Sequence, residues 1–174
     1  MKWTSYIRSF AFPKLLQPGS IAAPISLTAE DGTWVQSTDY IQNNKVLWIS
    51  IKDATDDNTA RWIRSFNRVM DQIQEHDCRM FVVCSQSLDD IRELHRKVDL
   101  ACHALYDPMA LEARKLGLSG RRPMCRDAVL LVDEFGKVVE SICGQSSVDH
   151  WLALLGAQTE APITLSSCVM GASV

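Results

Sequence analysis

Two short apolar runs, each followed by an amphipathic helical pattern, constrain the fold of this chain more than any other feature of its sequence. The runs cover residues 46–51 and 80–84 and are rich in β-forming residues, so both predict buried strands. Apolar residues recur at helical spacing over residues 59–75, and Ser87-x-x-Asp90 resembles a capping box that opens a second helix. This β-α-β-α alternation predicts parallel strands with both faces covered.

The following segment contains one more short helical signal. Asp107-Pro108 predicts a helix start, because proline at the first helical position loses nothing by lacking its amide. Gly117 suits the exit of that helix.

An antiparallel hairpin and a closing helix are predicted at the C-terminal end. Residues 128–132 and 137–142 form the two arms of the hairpin, and Gly136 supplies the positive φ of its turn. Ser146-x-x-Asp149 predicts the cap of a last helix, which Gly156 ends.

The domain organisation follows from length and periodicity. A chain of 174 residues with 47% apolar content can bury one core but is short for two ordinary domains. We expect an N-terminal arm over residues 1–16, one domain over residues 17–156, and a flexible tail over residues 157–174, where periodicity is lost.

Charge and cysteine usage exclude several classes of partner. The net charge of −3 without a basic stripe argues against nucleic acid, and no apolar run approaches the roughly 20 residues that span a bilayer. The six cysteines are scattered and form no CxxC pair, which indicates reduced thiols in the cytoplasm and predicts no metal or other cofactor. Lys2, Arg8 and Lys14 in a segment without acids leave an organelle-targeting peptide as an alternative.

An ordered set of landmarks resembles the peroxiredoxin-like family, which includes alkyl hydroperoxide reductases and thiol-specific antioxidants, within the thioredoxin-like superfamily. The landmarks are residues 18–24, Leu27, 30–32, 34–40, 82–87, 105–108, 130–133 and 136–137. The resemblance covers about residues 17–155 and implies an α/β, thioredoxin-like fold with a central mixed β-sheet flanked by helices. It also implies thiol peroxidase chemistry at one loop.

That loop reads Pro-x-x-x-Thr-x-x-Cys in the family, and the first turn of the following helix lowers the pKa of its cysteine. Here Ile51 stands at the proline position, Thr55 keeps the threonine, and Asn58 stands at the cysteine position. An amide is no nucleophile, and Asp56 and Asp57 oppose a nearby anion. The resemblance therefore predicts a pseudoenzyme at this position and leaves open whether the chain is an enzyme at all.

The family also carries an arginine just before the strand that ends in Asp133. An ungapped reading places Asp127 at that position and Arg126 one residue too early, although a β-bulge could restore Arg126. We regard Thr55, Asn58 and Arg126 as the degenerate counterparts of the family's site.

Cys125 is the candidate thiol for a different redox role. Arg121, Arg122 and Arg126 surround it in sequence, and three guanidinium groups would give it the lowest pKa of the six thiols. Cys84 or Cys168 could then act as the resolving partner.

Three functions remain open at this stage. The first is a non-catalytic binding or regulatory domain that associates with a protein partner or as a homodimer. The second is an unconventional thiol-dependent antioxidant oxidoreductase or redox sensor that uses Cys125. The third is a site for a small anion or metabolite at the arginine-rich loop over residues 121–126, where guanidinium groups offer charge-assisted hydrogen bonds.

Overall fold

A seven-stranded mixed sheet with the order β2-β1-β5-β4-β3-β6-β7 organises the protein. The computed structural model describes residues 14–120 and 123–159. The strands are β1 (Ser26–Ala29), β2 (Trp34–Gln36), β3 (Lys45–Ile51), β4 (Cys78–Cys84), β5 (Ala104–Tyr106), β6 (Ala128–Val132) and β7 (Val138–Cys143). The helices are α1 (Asp57–Asn67), α2 (Met70–Glu75), α3 (Leu88–Val98), α4 (Leu111–Lys115) and α5 (Val148–Thr159), with a 3₁₀ turn at Ser37–Tyr40.

The predicted parallel core is confirmed. β3 pairs with β4, and β4 with β5, in parallel, whereas β6 runs antiparallel to β3 and β1 runs antiparallel to β5. The sheet is therefore mixed and flanked by helices, as the thioredoxin-like resemblance implies.

The two faces of the sheet bury two separate apolar clusters, because side chains alternate along each strand. In β3, Leu47 and Ile49 face the cluster that α1, α2, α3 and α5 cover. Val46 and Trp48 face the other cluster, which contains Ala113 of α4. Almost every core position of the central strands is below a few percent exposure, so the sheet is a rigid frame for the loops at its edges.

The helix predicted over residues 59–75 is two helices. α1 begins at Asp57 and ends at Asn67, and α2 starts at Met70 after a non-helical Val69 (φ −113°, ψ 19°). Both helices bury the same apolar stripe, so the periodicity continues across a local break that it cannot reveal.

The helix start at Asp107-Pro108 is corrected in a similar way. α4 begins at Leu111, and the buried Asp107 carboxylate accepts hydrogen bonds from the amides of Leu111 (3.0 Å) and Ala113 (2.8 Å). Pro108 lies in the preceding turn. Gly117 does leave the helix with φ +72°, as predicted.

The β6–β7 hairpin and its glycine turn are confirmed, since Gly136 has φ +79°. The closing helix differs in both ends. The amide of Asp149 donates a hydrogen bond to the hydroxyl of Ser147 (3.3 Å), not to that of Ser146. At the other end, α5 continues through Gly156 to Thr159. One glycine weakens a helix without ending it.

The described residues limit what the structure says about the termini. Most of the predicted arm (residues 1–13) and nearly all of the predicted tail (residues 160–174) lie outside them. No helix within residues 14–120 and 123–159 has the length and apolar character to cross a membrane.

Candidate active site of the family loop

The loop between β3 and α1 lies where the parallel strands β3 and β4 end, beside the start of β6. Asp56 is the N-cap of α1, and its Oδ2 accepts a hydrogen bond from the amide of Thr59 (2.9 Å). Asn58 therefore lies in the first helical turn, which confirms the predicted position. Its side chain is exposed, and its Oδ1 accepts a hydrogen bond from Nη2 of Arg61. This cation beside position 58 is a contact that the sequence reasoning missed.

Thr55 acts as a turn residue. Its amide and its hydroxyl both donate to Oδ1 of Asp53, at 2.9 and 2.7 Å. These hydrogen bonds hold the pKa of Asp53 below its usual value, because they stabilise the carboxylate form. The Thr55 hydroxyl therefore donates its hydrogen bond within the loop.

Gln86, two residues past β4, ties the loop to the sheet. Its Nε2 donates to Oδ1 of Asp53 (3.1 Å), and its Oε1 accepts a hydrogen bond from the amide of Ala54. The sequence signal for Gln86 is weak, since a glutamine after a strand is common. Only the parallel pairing of β3 with β4 places it beside the loop.

Asp127, not Arg126, faces this loop. The Asp127 carboxylate accepts hydrogen bonds from the Lys52 amide (2.8 Å) and from Nε2 of Gln145 (3.2 Å), and the same Nε2 lies 3.5 Å from Oγ1 of the buried Thr59. Nη2 of Arg126 instead donates to the carbonyl of Gly117.

The bulge that could have restored Arg126 is not there. The register shift between β6 and β7 lies between Leu131 and Val132, beyond this segment. The pairing of β6 with β3 and β7 is regular at Ala128, and Asp127 directly before it is hydrogen-bonded to the loop.

Several main-chain amides around the loop are bonded to the chain's own oxygens. Those of Lys52 and Thr59 bond to the Asp127 and Asp56 carboxylates, and the Ala54 amide bonds to Gln86. A thiolate or a bound oxyanion would need such donors and a nearby cation. Here carboxylates take that place, and the cation bonded to Asn58 is the exposed Arg61.

Cys125 packs against the ends of β3 and β4, where its amide donates to Oγ of Ser85 (2.9 Å). It is 2% exposed within the cluster on the α4 side of the sheet, and burial raises the pKa of its thiol to about 12. The expectation that arginines give Cys125 the lowest thiol pKa is therefore wrong in direction. Arg121 and Arg122 lie outside the described residues.

Of the proposed resolving partners, Cys84 lies close enough to Cys125 for its charge to raise the pKa of the Cys125 thiol, and both thiols are reduced and buried. Cys84 packs into the cluster on the opposite face of the sheet, and burial raises the pKa of its thiol to about 11. Cys168 lies outside the described residues. Burial also raises the pKa values of Cys78 and Cys102, each to about 12, whereas Cys143 is exposed.

The fold and the loop position match a known family model described as the AhpC/TSA family over residues 18–141. The chain belongs to the AhpC/TSA family. This confirms the peroxiredoxin-like resemblance, because the match includes β3, the loop that follows it and most of the β6–β7 hairpin of this AhpC/TSA protein. None of the curated proteins compared is significantly similar to the chain.

Solved structures agree on the fold of this AhpC/TSA member. Peroxidoxin BcpB from Mycobacterium tuberculosis has a TM-score of 0.74 at 16% identity, with 82% of this chain and 97% of that chain covered. The reduced 2-Cys peroxiredoxin of Plasmodium vivax gives 0.74 at 18% identity, with 83% and 82% covered. Mycobacterium tuberculosis AhpC gives 0.73 at 15% identity, with 87% and 98% covered.

Proposed function

We propose that this AhpC/TSA member carries out no thiol peroxidase reaction at position 58 and serves as a binding or regulatory domain. One observation carries the proposal: the carboxylate of Asp127 is hydrogen-bonded to the loop at the position where the family resemblance places an arginine. A carboxylate repels a thiolate and a developing oxyanion, whereas a guanidinium stabilises both.

The loop network supports the same proposal. Peroxide reduction by this family's mechanism requires a thiolate, and the Asn58 amide cannot form a bond to peroxide oxygen. The hydrogen bonds of Asp53, Gln86 and Asp127 hold the loop in place through the chain's own groups. The loop therefore needs no bound anion to be stable.

A second copy of this chain is the partner that we propose for the binding role. Exposed apolar side chains support self-association. Met109, just before α4, is 53% exposed, and Leu111, at the start of α4, is 58% exposed. Burying such side chains against a partner would remove apolar surface from water.

A redox role for Cys125 has less support than this one. Its thiol is buried, and burial raises its pKa, so it carries little thiolate near neutral pH. Anion binding by the loop over residues 121–126 remains a separate proposal, since Arg121 and Arg122 lie outside the described residues and Arg126 donates to Gly117.

The test of the proposal is a peroxide consumption assay with a dithiol reductant, run on the unaltered chain and on a variant that lacks all six cysteines. We expect both proteins to consume peroxide at the rate of the reductant alone. Fast, cysteine-dependent consumption by the unaltered chain would refute the non-catalytic function. Single cysteine replacements would then identify the thiol that is responsible.

Self-association is tested by sedimentation velocity over a range of protein concentrations. We expect a dimer that dissociates when Leu111 is changed to glutamate, while Phe135→Glu, a change at another exposed apolar side chain (72% exposed), leaves it intact. A monomer at all concentrations would rule out the second copy as the partner.

A further inference from the structure

Four side chains with metal-ligating atoms lie close together at the end of the sheet opposite the loop between β3 and α1. Glu30 follows β1, Asp31 lies in the β1–β2 turn, His95 is on α3, and His103 directly precedes β5. We call these four residues the Glu30 cluster. One donor atom from each of Glu30, Asp31 and His103 lies within 4.8 Å of the other two.

The donor atoms are close to the spacing that a metal ion requires. Nε2 of His95 is 3.1 Å from Oε1 of Glu30, and Nδ1 of His103 is 4.0 Å from the same oxygen. Nδ1 of His103 is also 3.9 Å from Oδ2 of Asp31. Tetrahedral Zn²⁺ with bonds of about 2.0–2.1 Å places its ligand atoms about 3.3 Å apart.

The two carboxylates are held in place by the main chain. Glu30 uses Oε2 to accept the Ala104 amide (2.8 Å), which leaves Oε1 toward both histidines. Asp31 uses Oδ1 to accept the Thr33 amide (2.8 Å), which leaves Oδ2 toward His103. Such outer hydrogen bonds orient ligands before a metal arrives, and their loss typically weakens metal binding about 10–100-fold.

The Glu30 carboxylate is largely buried, whereas the histidine side of the cluster is open to solvent. The Glu30 side chain is 11% exposed, while those of His95 and His103 are 32% and 39% exposed and border an open depression of about 280 Å³. An ion can therefore enter from solvent and meet a carboxylate in a partly desolvated position.

Arg92 is a cation beside the cluster, but its guanidinium does not occupy the position between the carboxylates and the histidines. Arg92 donates through Nε to the main-chain carbonyl of Glu30 (3.2 Å) and pairs through Nη1 with Asp89 (3.5 Å). Its guanidinium thus has partners other than the two carboxylates of the cluster.

We propose that the Glu30 cluster binds a divalent transition-metal ion of the Zn²⁺ type. The imidazole of His103 and the carboxylates of Glu30 and Asp31 form the donor set, which suits Zn²⁺ and similar ions better than the hard ions that prefer oxygen ligands alone. The bound ion links the β1–β2 turn with the segment before β5, and His95 of α3 contacts the ligand Glu30. The alternative is that the same residues form only a histidine–carboxylate ion-pair network.

Isothermal titration calorimetry of the chelator-treated full chain with Zn²⁺ tests the proposal. We expect binding of one ion and a higher unfolding temperature in its presence, because an ion that binds the native state stabilises it. His103→Gln and Asp31→Asn should each weaken binding more than about tenfold, as loss of a ligand costs at least as much as loss of an outer partner. His150→Gln is the matched control, since His150 lies on α5 outside the cluster.

Co²⁺ as a spectroscopic probe separates binding by the histidine and carboxylates from binding by a thiolate, including that of Cys102, which lines the same depression. We expect visible d–d bands without a near-ultraviolet thiolate-to-cobalt charge-transfer band. A charge-transfer band that the variants of the cluster leave unchanged would overturn the proposal, as would the absence of Zn²⁺ binding or an equal loss in His150→Gln. Circular dichroism of each metal-free variant verifies that it is folded, and a misfolded His103→Gln would be replaced by Asp31→Asn, whose side chain is 51% exposed.

Discussion

Replacing Asn58 with cysteine puts a thiol at the position where we propose that the family's nucleophile is lost, and it measures what the surroundings do to that thiol. The new thiol would lie in the first turn of α1, beside Asp56, Asp57 and Arg61. At about 6 Å and an effective dielectric constant of about 40–80, one charge changes the energy of a thiolate by about 0.7–1.4 kcal/mol, or about 0.5–1 pKa unit.

These contributions nearly cancel. The Arg61 guanidinium offsets one carboxylate, and Asp57 is already paired with Lys97, which lowers the pKa of Asp57. The start of α1 adds about 0.3–1 kcal/mol in favour of the thiolate, so we expect a thiol pKa of about 8, a little below its ordinary value of about 8.5. Such a thiol is about 1–10% ionised at pH 7, against about 90% for an activated cysteine with a pKa of about 6.

The assay is the rate of iodoacetamide labelling of the introduced thiol as a function of pH, followed by mass spectrometry of its peptide. Asn58→Ser is the control for the native cysteines. Adding Asp127→Arg to the cysteine variant should lower the labelling midpoint by about one pKa unit, because a guanidinium then replaces a carboxylate near the loop. A midpoint below about pH 7 in the single variant would refute the reasoning.

Three other predictions follow from burial and hydrogen bonding. Trp151→Ala should lower the free energy of unfolding in urea by about 3–5 kcal/mol, because the fully buried indole fills the core; a loss below about 1 kcal/mol would contradict its burial. In the folded protein at pH 7, iodoacetamide should label the exposed Cys143 much faster than the buried Cys125, and equal rates would show that the Cys125 loop opens. Hydrogen bonds from Thr55 lower the folded-state pKa of Asp53, so its contribution to stability is present above about pH 4 and is lost as pH falls further; Asp53→Asn should make acid unfolding curves less steep there, and unchanged curves would refute the assignment.

The order of strands and helices could be predicted from the sequence because each element has its own local period. The strands of residues 46–51 and 80–84, the capping by Ser87 and the glycine turn at Gly136 are all present in the structure. Local signals also placed Asn58 in the first turn of α1. Element ends were less certain: Val69 breaks a continuous stripe, and α5 passes through Gly156.

The chemistry of the loop depended on contacts between distant segments. Gln86 and Gln145 join the loop only because β4 and β7 end at that edge of the sheet. No pattern of spacing links them to Asp53 or Thr59. The convergence of His95 and His103 on Glu30 has the same origin.

The sequence by itself therefore determined the α/β architecture and the family, since these depend on residue identity and local periodicity. The tertiary structure alone decided which of Arg126 and Asp127 faces the loop, because one residue of register exchanges the two sides of a chain segment. It also decided that Cys125 is buried and has a raised pKa, because a thiol responds to the packing around it and not to the arginines next to it in sequence.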